Sequence, residues 1–117
     1  MAVDRIRDKV NPLIQITEIR TIKADDFWMS PCYHQDSVAI HFTLKQDVPG
    51  VQKLLPQIEK ALEPFGARPH WAKLFTMEPS RLLALYPRAP DFIGLMNRFD
   101  PKGKFRNDFI QKIFFGS

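Results

Sequence analysis

The hydrophobic period of this chain changes near Asp47, and the change divides the sequence into a strand-forming part and a helix-forming part. Before Asp47, residues 13–23 and 37–45 alternate along the chain in the way that is typical of half-buried β-strands. After it, apolar residues recur at helical spacing until Gly66. This order predicts an α+β fold, in which an antiparallel sheet carries helices packed on one face.

The helical part contains its own start and stop signals. Asp47 and Pro49 resemble a helix start, because a carboxylate and an early proline are both favoured there. Pro56 interrupts the helical pattern, and an interior proline costs about 3 kcal/mol. We therefore expect either a kink at Pro56 or a helix that starts later than Asp47. Short helices, separated by proline-bearing turns, are predicted over residues 79–86, 89–99 and 107–115.

Length and composition indicate one globular unit. The chain has 117 residues and 44% hydrophobic content, so residues 1–117 have room for a single domain with one hydrophobic core. The apolar runs are too short to cross a bilayer, and the N-terminus lacks the apolar stretch of a secretory signal, so we expect a cytoplasmic protein. Cys32 is the only cysteine. It has no partner for a disulfide or a cysteine zinc site, and we expect no metal.

The net charge of +4 raises the question of nucleic-acid binding, because basic domains attract phosphate. The basic residues are spread along the chain, however, and only Lys102, Lys104 and Arg106 are clustered. No recognised nucleic-acid motif accompanies them. We therefore expect no nucleic-acid partner.

Glu18 and Arg20 are two residues apart, so on a strand their side chains lie on the same face. A carboxylate and a guanidinium at fixed geometry offer acceptors and donors for a ligand with a row of hydroxyl groups, such as a polyol. The alternative is an ordinary surface ion pair. Three isoleucines share this face, which favours partial burial: Ile14, Ile16 and Ile22.

His41 and Thr43 also share a face of their strand. Paired with the first strand, they would extend its polar surface with an imidazole and a hydroxyl; a solvent-exposed sheet face is the alternative. A common face would also carry Ile14 and Ile16, so this arrangement requires a bulge or a partly apolar cleft.

Residues 68–73 combine an imidazole, an indole and an ammonium within a few positions. If this segment is a strand, Trp71 and Lys73 share one face and His70 lies on the other. A lysine beside an indole could donate to an oxyanion or to the pyrimidine edge of a flavin. The alternative is that His70 and Trp71 serve packing while Lys73 is solvated.

Four segments carry a resemblance to a known family. They are residues 17–20 (Thr-Glu-Ile-Arg), 36–43 (ending His-Phe-Thr), 64–75 (containing His-Trp-Ala-Lys) and 99–109 (beginning Phe-Asp-Pro). Their order and spacing resemble the C-terminal part of the FAD-dependent sugar-alcohol and aldonolactone oxidases. This family includes the D-arabinono-1,4-lactone and L-gulonolactone oxidases, and the alditol (xylitol) oxidases are the most similar. Glu-x-Arg together with His-Trp-x-Lys is the specific signal.

The resemblance implies a site and a reaction. The polyol lies over the flavin ring, hydride passes from a terminal carbinol carbon to the flavin, and oxygen reoxidises the flavin to give hydrogen peroxide and an aldose. Arg20 and Lys73 would be catalytic, because they stabilise the developing alkoxide. The residue that takes the hydroxyl proton stays open. The substrate-binding residues would be Glu18, Arg20, Thr43, Lys73 and His41, and the FAD-contacting residues would be Lys73 and His70.

The same resemblance implies that most FAD contacts are made outside this chain. Members of the family bind FAD in a separate N-terminal domain, and the five glycines here form no phosphate-cradling cluster. We therefore expect a C-terminal substrate-domain fragment, inactive by itself, with a polyol or aldonolactone and the FAD-binding domain as partners. Some relatives are membrane-associated. A stand-alone polyol-binding module and a subunit that docks on a separately encoded FAD domain remain alternatives, and homo-oligomerisation stays open.

Overall fold

The computed structural model describes residues 2–116 and confirms the α+β class. Its two strands form an antiparallel sheet, with one short helix before them and the other helices after them in the chain. The strands are β1 (Ile14–Ile22) and β2 (Ser37–Leu44), and the α-helices are α1 (Arg7–Val10), α2 (Val48–Leu62), α3 (Pro79–Ala84), α4 (Ala89–Phe99) and α5 (Asp108–Ile110). Shorter turns of 3-10 helix cover Val3–Ile6, Asn11–Leu13 and Glu63–Phe65, and a π-helical turn covers Gln111–Phe115.

The helix that follows β2 begins where the sequence predicts. The Asp47 side chain accepts a hydrogen bond from the backbone N–H of Gly50 at 3.1 Å, which satisfies one of the free donors of the first turn. A later start is therefore wrong, and α2 continues through Pro56 to Leu62. Gly66 then adopts a left-handed conformation with φ of 60°, which ends the helical run.

The sheet pairs β1 with β2 in a register that brings the two polar faces together. Glu18 lies opposite His41, and Arg20 lies opposite Ala39. The register shifts between Ile14 and Ile16, which marks a β-bulge or irregularity. Because side-chain direction alternates along a strand, this shift moves Ile14 away from the polar face and allows it to pack in the core.

Most of the buried side chains fall into two clusters, so the expectation of one hydrophobic core is wrong. The first, which we call the sheet cluster, joins the N-terminal turns, the sheet and α2; its buried members are Val3, Val10, Leu54 and Ile58. The second, the C-terminal cluster, joins α3, α4 and the last turns; its buried members are Leu82, Tyr86, Ala89, Ile113 and Phe114. The N-terminal turns were not predicted from the sequence, although Val3 and Val10 are core residues.

Residues 23–36 connect the strands, and we call them the connecting loop. The Asp25 carboxylate accepts hydrogen bonds from the Phe27 backbone N–H at 3.1 Å and from the Ser30 hydroxyl at 2.5 Å. A backbone bond from Asp25 to the Cys32 carbonyl closes the loop. The Met29 side chain packs against the C-terminal cluster. The connecting loop therefore joins the strands of one cluster to the core of the other.

Candidate functional site

Glu18, Arg20 and His41 form a hydrogen-bonded group on one face of the sheet. The guanidinium of Arg20 donates to Oε2 of Glu18 at 3.2 Å, and Nδ1 of His41 lies 3.2 Å from the same oxygen. The strand register explains the contact, since Glu18 and His41 are directly opposite and Arg20 is the next residue on that face. We call this group the strand triad.

The electrostatics of the strand triad favour an ionised carboxylate. The hydrogen bond from His41, and then the charge of Arg20, hold the pKa of Glu18 below its ordinary value. Both partners contact Oε2, so Oε1 accepts no hydrogen bond within residues 2–116. An anionic oxygen that faces solvent in this way is a strong acceptor for a hydroxyl group.

The face that carries the strand triad is open to solvent within this chain. The side chains of Glu18 and Arg20 are 45% and 69% exposed, so the partial burial expected from the neighbouring isoleucines is not observed here. Ile16 and Ile22 lie exposed on the same face. Thr43 lies opposite Ile16 and is half-buried. The face thus combines charged and hydroxyl side chains with exposed apolar ones, and of the two arrangements considered from the sequence it is the bulge that the strand register shows.

Residues 68–73 are not a strand, so the alternation that a strand would give to Trp71, Lys73 and His70 does not apply. The segment makes a turn, in which the backbone N–H of Lys73 donates to the His70 carbonyl at 3.0 Å. The His70 Nδ1 accepts from the backbone N–H of Ala72 at 3.1 Å. The Arg68 and Trp71 side chains of this segment bind backbone carbonyls of the connecting loop, and among residues 2–116 the sheet consists of β1 and β2 alone.

Trp71 and Lys73 point to different environments. The indole is half-buried against the C-terminal cluster, where its ring centroid lies 5.0 Å from that of Tyr86. Lys73 is exposed, and within residues 2–116 its ammonium makes no ion pair or hydrogen bond. The structure shows no direct contact between Lys73 and the strand triad, so the proposed grouping of these residues stays a prediction.

Arg68 makes a half-buried contact to which the sequence assigned no role. Its guanidinium donates through one nitrogen to the carbonyls of Pro31 at 3.2 Å and Tyr33 at 3.4 Å, and it lies over the Tyr86 ring. The only sequence signal was its place in the segment 64–75 that carries the family resemblance. A polar side chain that binds carbonyls distant in sequence leaves no periodic pattern.

The donor groups of this chain fit an edge contact with a flavin better than a phosphate-binding site. Lys73 offers an exposed ammonium, and a cation of this kind can donate to an anionic ring edge. The glycines with left-handed backbone are Gly66, Gly103 and Gly116, which are far apart in the chain and build no continuous row of N–H donors. Residues 2–116 contain no metal-type cluster of His, Cys, Asp and Glu side chains, and none of their helices is long and apolar enough to span a membrane.

Comparison with known families identifies the chain through most of its length. The family model for D-arabinono-1,4-lactone oxidase matches residues 8–113. The chain belongs to the D-arabinono-1,4-lactone oxidase family. The matched range includes both strands, the connecting loop and the turn at residues 68–73, so all the candidate site residues of this family member lie within the family match.

Individual relatives are oxidoreductases with sugar-derived substrates in their names. An alditol oxidase from Streptomyces sp. (strain IKD472 / FERM P-14339) is 44% identical over 98% of this chain. An L-gulonolactone oxidase from Scyliorhinus torazame is 31% identical over 97% of it, and an L-gulono-1,4-lactone dehydrogenase from Mycobacterium tuberculosis (strain CDC 1551 / Oshkosh) is 25% identical over 95%. The chain spans 28% of the length of the first two relatives and 26% of the third.

Proposed function

We propose that this chain is the substrate-binding portion of a FAD-dependent oxidase that converts a sugar alcohol to an aldose and reduces oxygen to hydrogen peroxide. The observation that carries the proposal is the strand triad, which aligns an anionic acceptor and a cationic donor on one open face. The identity to an alditol oxidase over nearly the whole chain favours a polyol over a lactone. Most of the FAD contacts belong to a domain outside these 117 residues.

The chemistry of the strand triad suits a hydroxyl-rich substrate. Oε1 of Glu18 would accept from one hydroxyl, while Arg20 would donate to the next. The contact between Glu18 and Nδ1 of His41 leaves Nε2 as the imidazole nitrogen that can reach a ligand. Thr43 would add a hydroxyl farther along the same face. Glu18, Arg20, His41 and Thr43 would together fix the orientation of the polyol.

FAD, when bound, supplies the acceptor for the hydride that leaves the carbinol carbon. Arg20 and Lys73 would stabilise the negative charge that develops on the substrate oxygen as its proton leaves, and donors of this kind act mainly in the transition state. Lys73, with His70 beside it, would contact the cofactor edge. The open sheet face would become enclosed by the rest of the oxidase, which would exclude water and strengthen each of these interactions.

The test uses the full polypeptide that contains these residues, loaded with FAD. Anaerobic addition of xylitol or sorbitol should bleach the flavin absorbance, and readmitted oxygen should yield hydrogen peroxide. Thr43→Val should weaken polyol binding by about 1 kcal/mol, the size of one ordinary hydrogen bond. Thr21→Val is the matched control, because Thr21 lies on the opposite face of the same sheet.

Each of three results would change the assignment. Flavin bleaching by L-gulono-1,4-lactone but not by polyols would reassign the substrate to the lactone class. Polyol binding without flavin loading would favour a stand-alone binding module. Equal kinetic effects of Thr43→Val and Thr21→Val would remove the strand-triad face from the site.

A further inference from the structure

The candidate site is divided between the two hydrophobic clusters. The strand triad lies on β1 and β2, whose apolar residues Ile40 and Phe42 pack in the sheet cluster. Lys73 follows Trp71, which packs in the C-terminal cluster. Two separately packed clusters do not by themselves fix the distance between side chains that each of them carries. The contacts between the clusters must do so.

Two side chains of the turn at residues 68–73 bind the connecting loop. The indole Nε1–H of Trp71 donates to the Met29 carbonyl at 2.7 Å. The Arg68 guanidinium donates to the carbonyls of Pro31 and Tyr33. The acceptors are therefore backbone carbonyls of residues 29–33, in the middle of the connecting loop. This loop begins directly after β1 and is closed by its own hydrogen bonds.

The placement of Arg68 suits a rigid link. Its Nε is buried and has no hydrogen-bond partner among the described residues, and its guanidinium carbon lies 4.9 Å from the centroid of the Tyr86 ring, which is 1% exposed. A guanidinium that is stacked on one side and bound to carbonyls on another has few alternative positions, and it makes such contacts in a way that an ammonium cannot reproduce fully. Arg68 thus ties the connecting loop to the C-terminal cluster by charge-assisted hydrogen bonds.

We propose that Arg68 and Trp71 are positioning residues, which fix Lys73 relative to the strand triad by clamping the carbonyls of residues 29–33. The consequence for catalysis rests on the function proposed above. The connecting loop, which these side chains clamp, joins the sheet at its Arg20 end, because Arg20 is two residues from the end of β1. Thr43 lies at the opposite end of the sheet. Arg20 and Lys73 are therefore the pair whose spacing the clamp controls most directly.

A second contact between the clusters provides a comparison. The Glu59 carboxylate on α2 accepts hydrogen bonds from the backbone N–H and the hydroxyl of Thr76, at 2.5 and 2.9 Å. Thr76 lies beyond Lys73 in the chain and Glu59 lies before it, and the contact does not involve the connecting loop. Glu59→Gln should thus leave the clamp intact.

The first experiment measures placement without any catalytic readout. Spin labels are attached at Thr17→Cys and Ala72→Cys, both exposed positions, in the full polypeptide, and Cys32 is buried and stays unlabelled. Double electron–electron resonance should give one narrow distance distribution. Arg68→Met and Trp71→Phe should each broaden this distribution. The width for Arg68→Lys should lie between the widths for Arg68→Met and for the unsubstituted chain. The matched control is Arg98→Met, which also removes a guanidinium that lies over an aromatic ring.

The second experiment measures kinetics. In the FAD-loaded polypeptide, Arg68→Met should lower kcat for the polyol by about 10- to 100-fold, the size expected for a displacement near 1 Å, while KM changes less. Trp71→Phe keeps an aromatic ring in the C-terminal cluster and should show the same split between kcat and KM. Arg68→Lys should recover part of the loss, and Arg98→Met should retain normal kcat.

Two outcomes would overturn the proposal. One is a distance distribution that stays narrow in both Arg68→Met and Trp71→Phe. The other is a broadened distribution with unchanged kcat, which would make the clamp a structural contact only. If the unsubstituted polypeptide oxidises neither polyol nor lactone, the proposed function fails, and the distance measurement still decides whether the clamp sets the position of the Lys73 segment.

Discussion

Replacing Tyr86 by phenylalanine should stabilise the fold, which is unusual for a fully buried residue. The side chain is 1% exposed, and its hydroxyl has no hydrogen-bond partner within residues 2–116. A buried polar group without a partner costs about 1–3 kcal/mol. Phenylalanine removes this cost and retains the ring that packs against Trp71 and lies beneath Arg68. We expect the free energy of unfolding at neutral pH to rise by about 1 kcal/mol, the lower end of that range.

The same substitution should change the alkaline pH dependence of stability. Burial raises the pKa of Tyr86 to about 12, against an ordinary value of 10.0; the Arg68 charge opposes the shift and Cys32 adds to it. The folded state thus holds the phenol proton more tightly than the unfolded state does. The contribution of this protonated phenol to the free energy of unfolding is therefore complete below pH 10 and is lost as the pH rises through 12. At pH 11 the easier ionisation of Tyr86 in the unfolded state should lower the free energy of unfolding of the unsubstituted chain by about 1.4 kcal/mol. Tyr86→Phe should not show this loss.

Urea titrations of the chain and the variant at pH 7, 9 and 11 test both effects. With a slope of about 2 kcal/mol per molar urea, the midpoint at pH 7 should rise by about 0.5 M. Tyr33→Phe is the matched control, because Tyr33 is only half-buried and its side chain interacts with that of Arg88, so the loss of its hydroxyl should not stabilise the fold. A Tyr86→Phe variant that is destabilised as much as Tyr33→Phe would refute the reasoning, since the hydroxyl would then have a partner.

Two further predictions concern the core and the strand triad. Leu82→Ala should lower the free energy of unfolding by about 2–5 kcal/mol, because Leu82 is 0% exposed and its truncation leaves a cavity in the C-terminal cluster; a loss below 1 kcal/mol in a urea titration would contradict this packing. His41→Gln should raise the pKa of Glu18 towards its ordinary value, since the His41 hydrogen bond is the largest cause of its depression. A carbon-13 titration of the Glu18 carboxyl measures this pKa, and an unchanged value would show that His41 does not bind the carboxylate in solution.

The division into two clusters gives the candidate site a specific weakness. The strand triad and Lys73 belong to separately packed regions, so small shifts between the regions alter their spacing without unfolding either one. Interactions that act on developing charge depend steeply on such distances. Under the function and the clamp proposed above, Arg68 and Trp71 would influence the geometry of the site by joining the two clusters.

The sequence by itself determined the two strands, the long helix and most of the polar face, but not the N-terminal turns. Alternation over residues 13–23 and 37–45 predicted β1 and β2 almost to their ends, and the start at Asp47 and the stop at Gly66 bounded the long helix. These features are encoded by neighbouring residues, since side-chain periodicity and capping act over one or two turns. Parity along the strands also predicted that Glu18 and Arg20 share a face.

Only the tertiary structure decided how the elements combine. The shift between Ile14 and Ile16, which frees Ile14 for the core, depends on how β1 pairs with β2, and alternation within one strand cannot specify that pairing. Residues 68–73 form a turn, in which Arg68 and Trp71 bind carbonyls of the connecting loop, about forty residues earlier in the chain. Hydrogen bonds of this range depend on where the folded backbone places its acceptors, so local sequence patterns cannot reveal them.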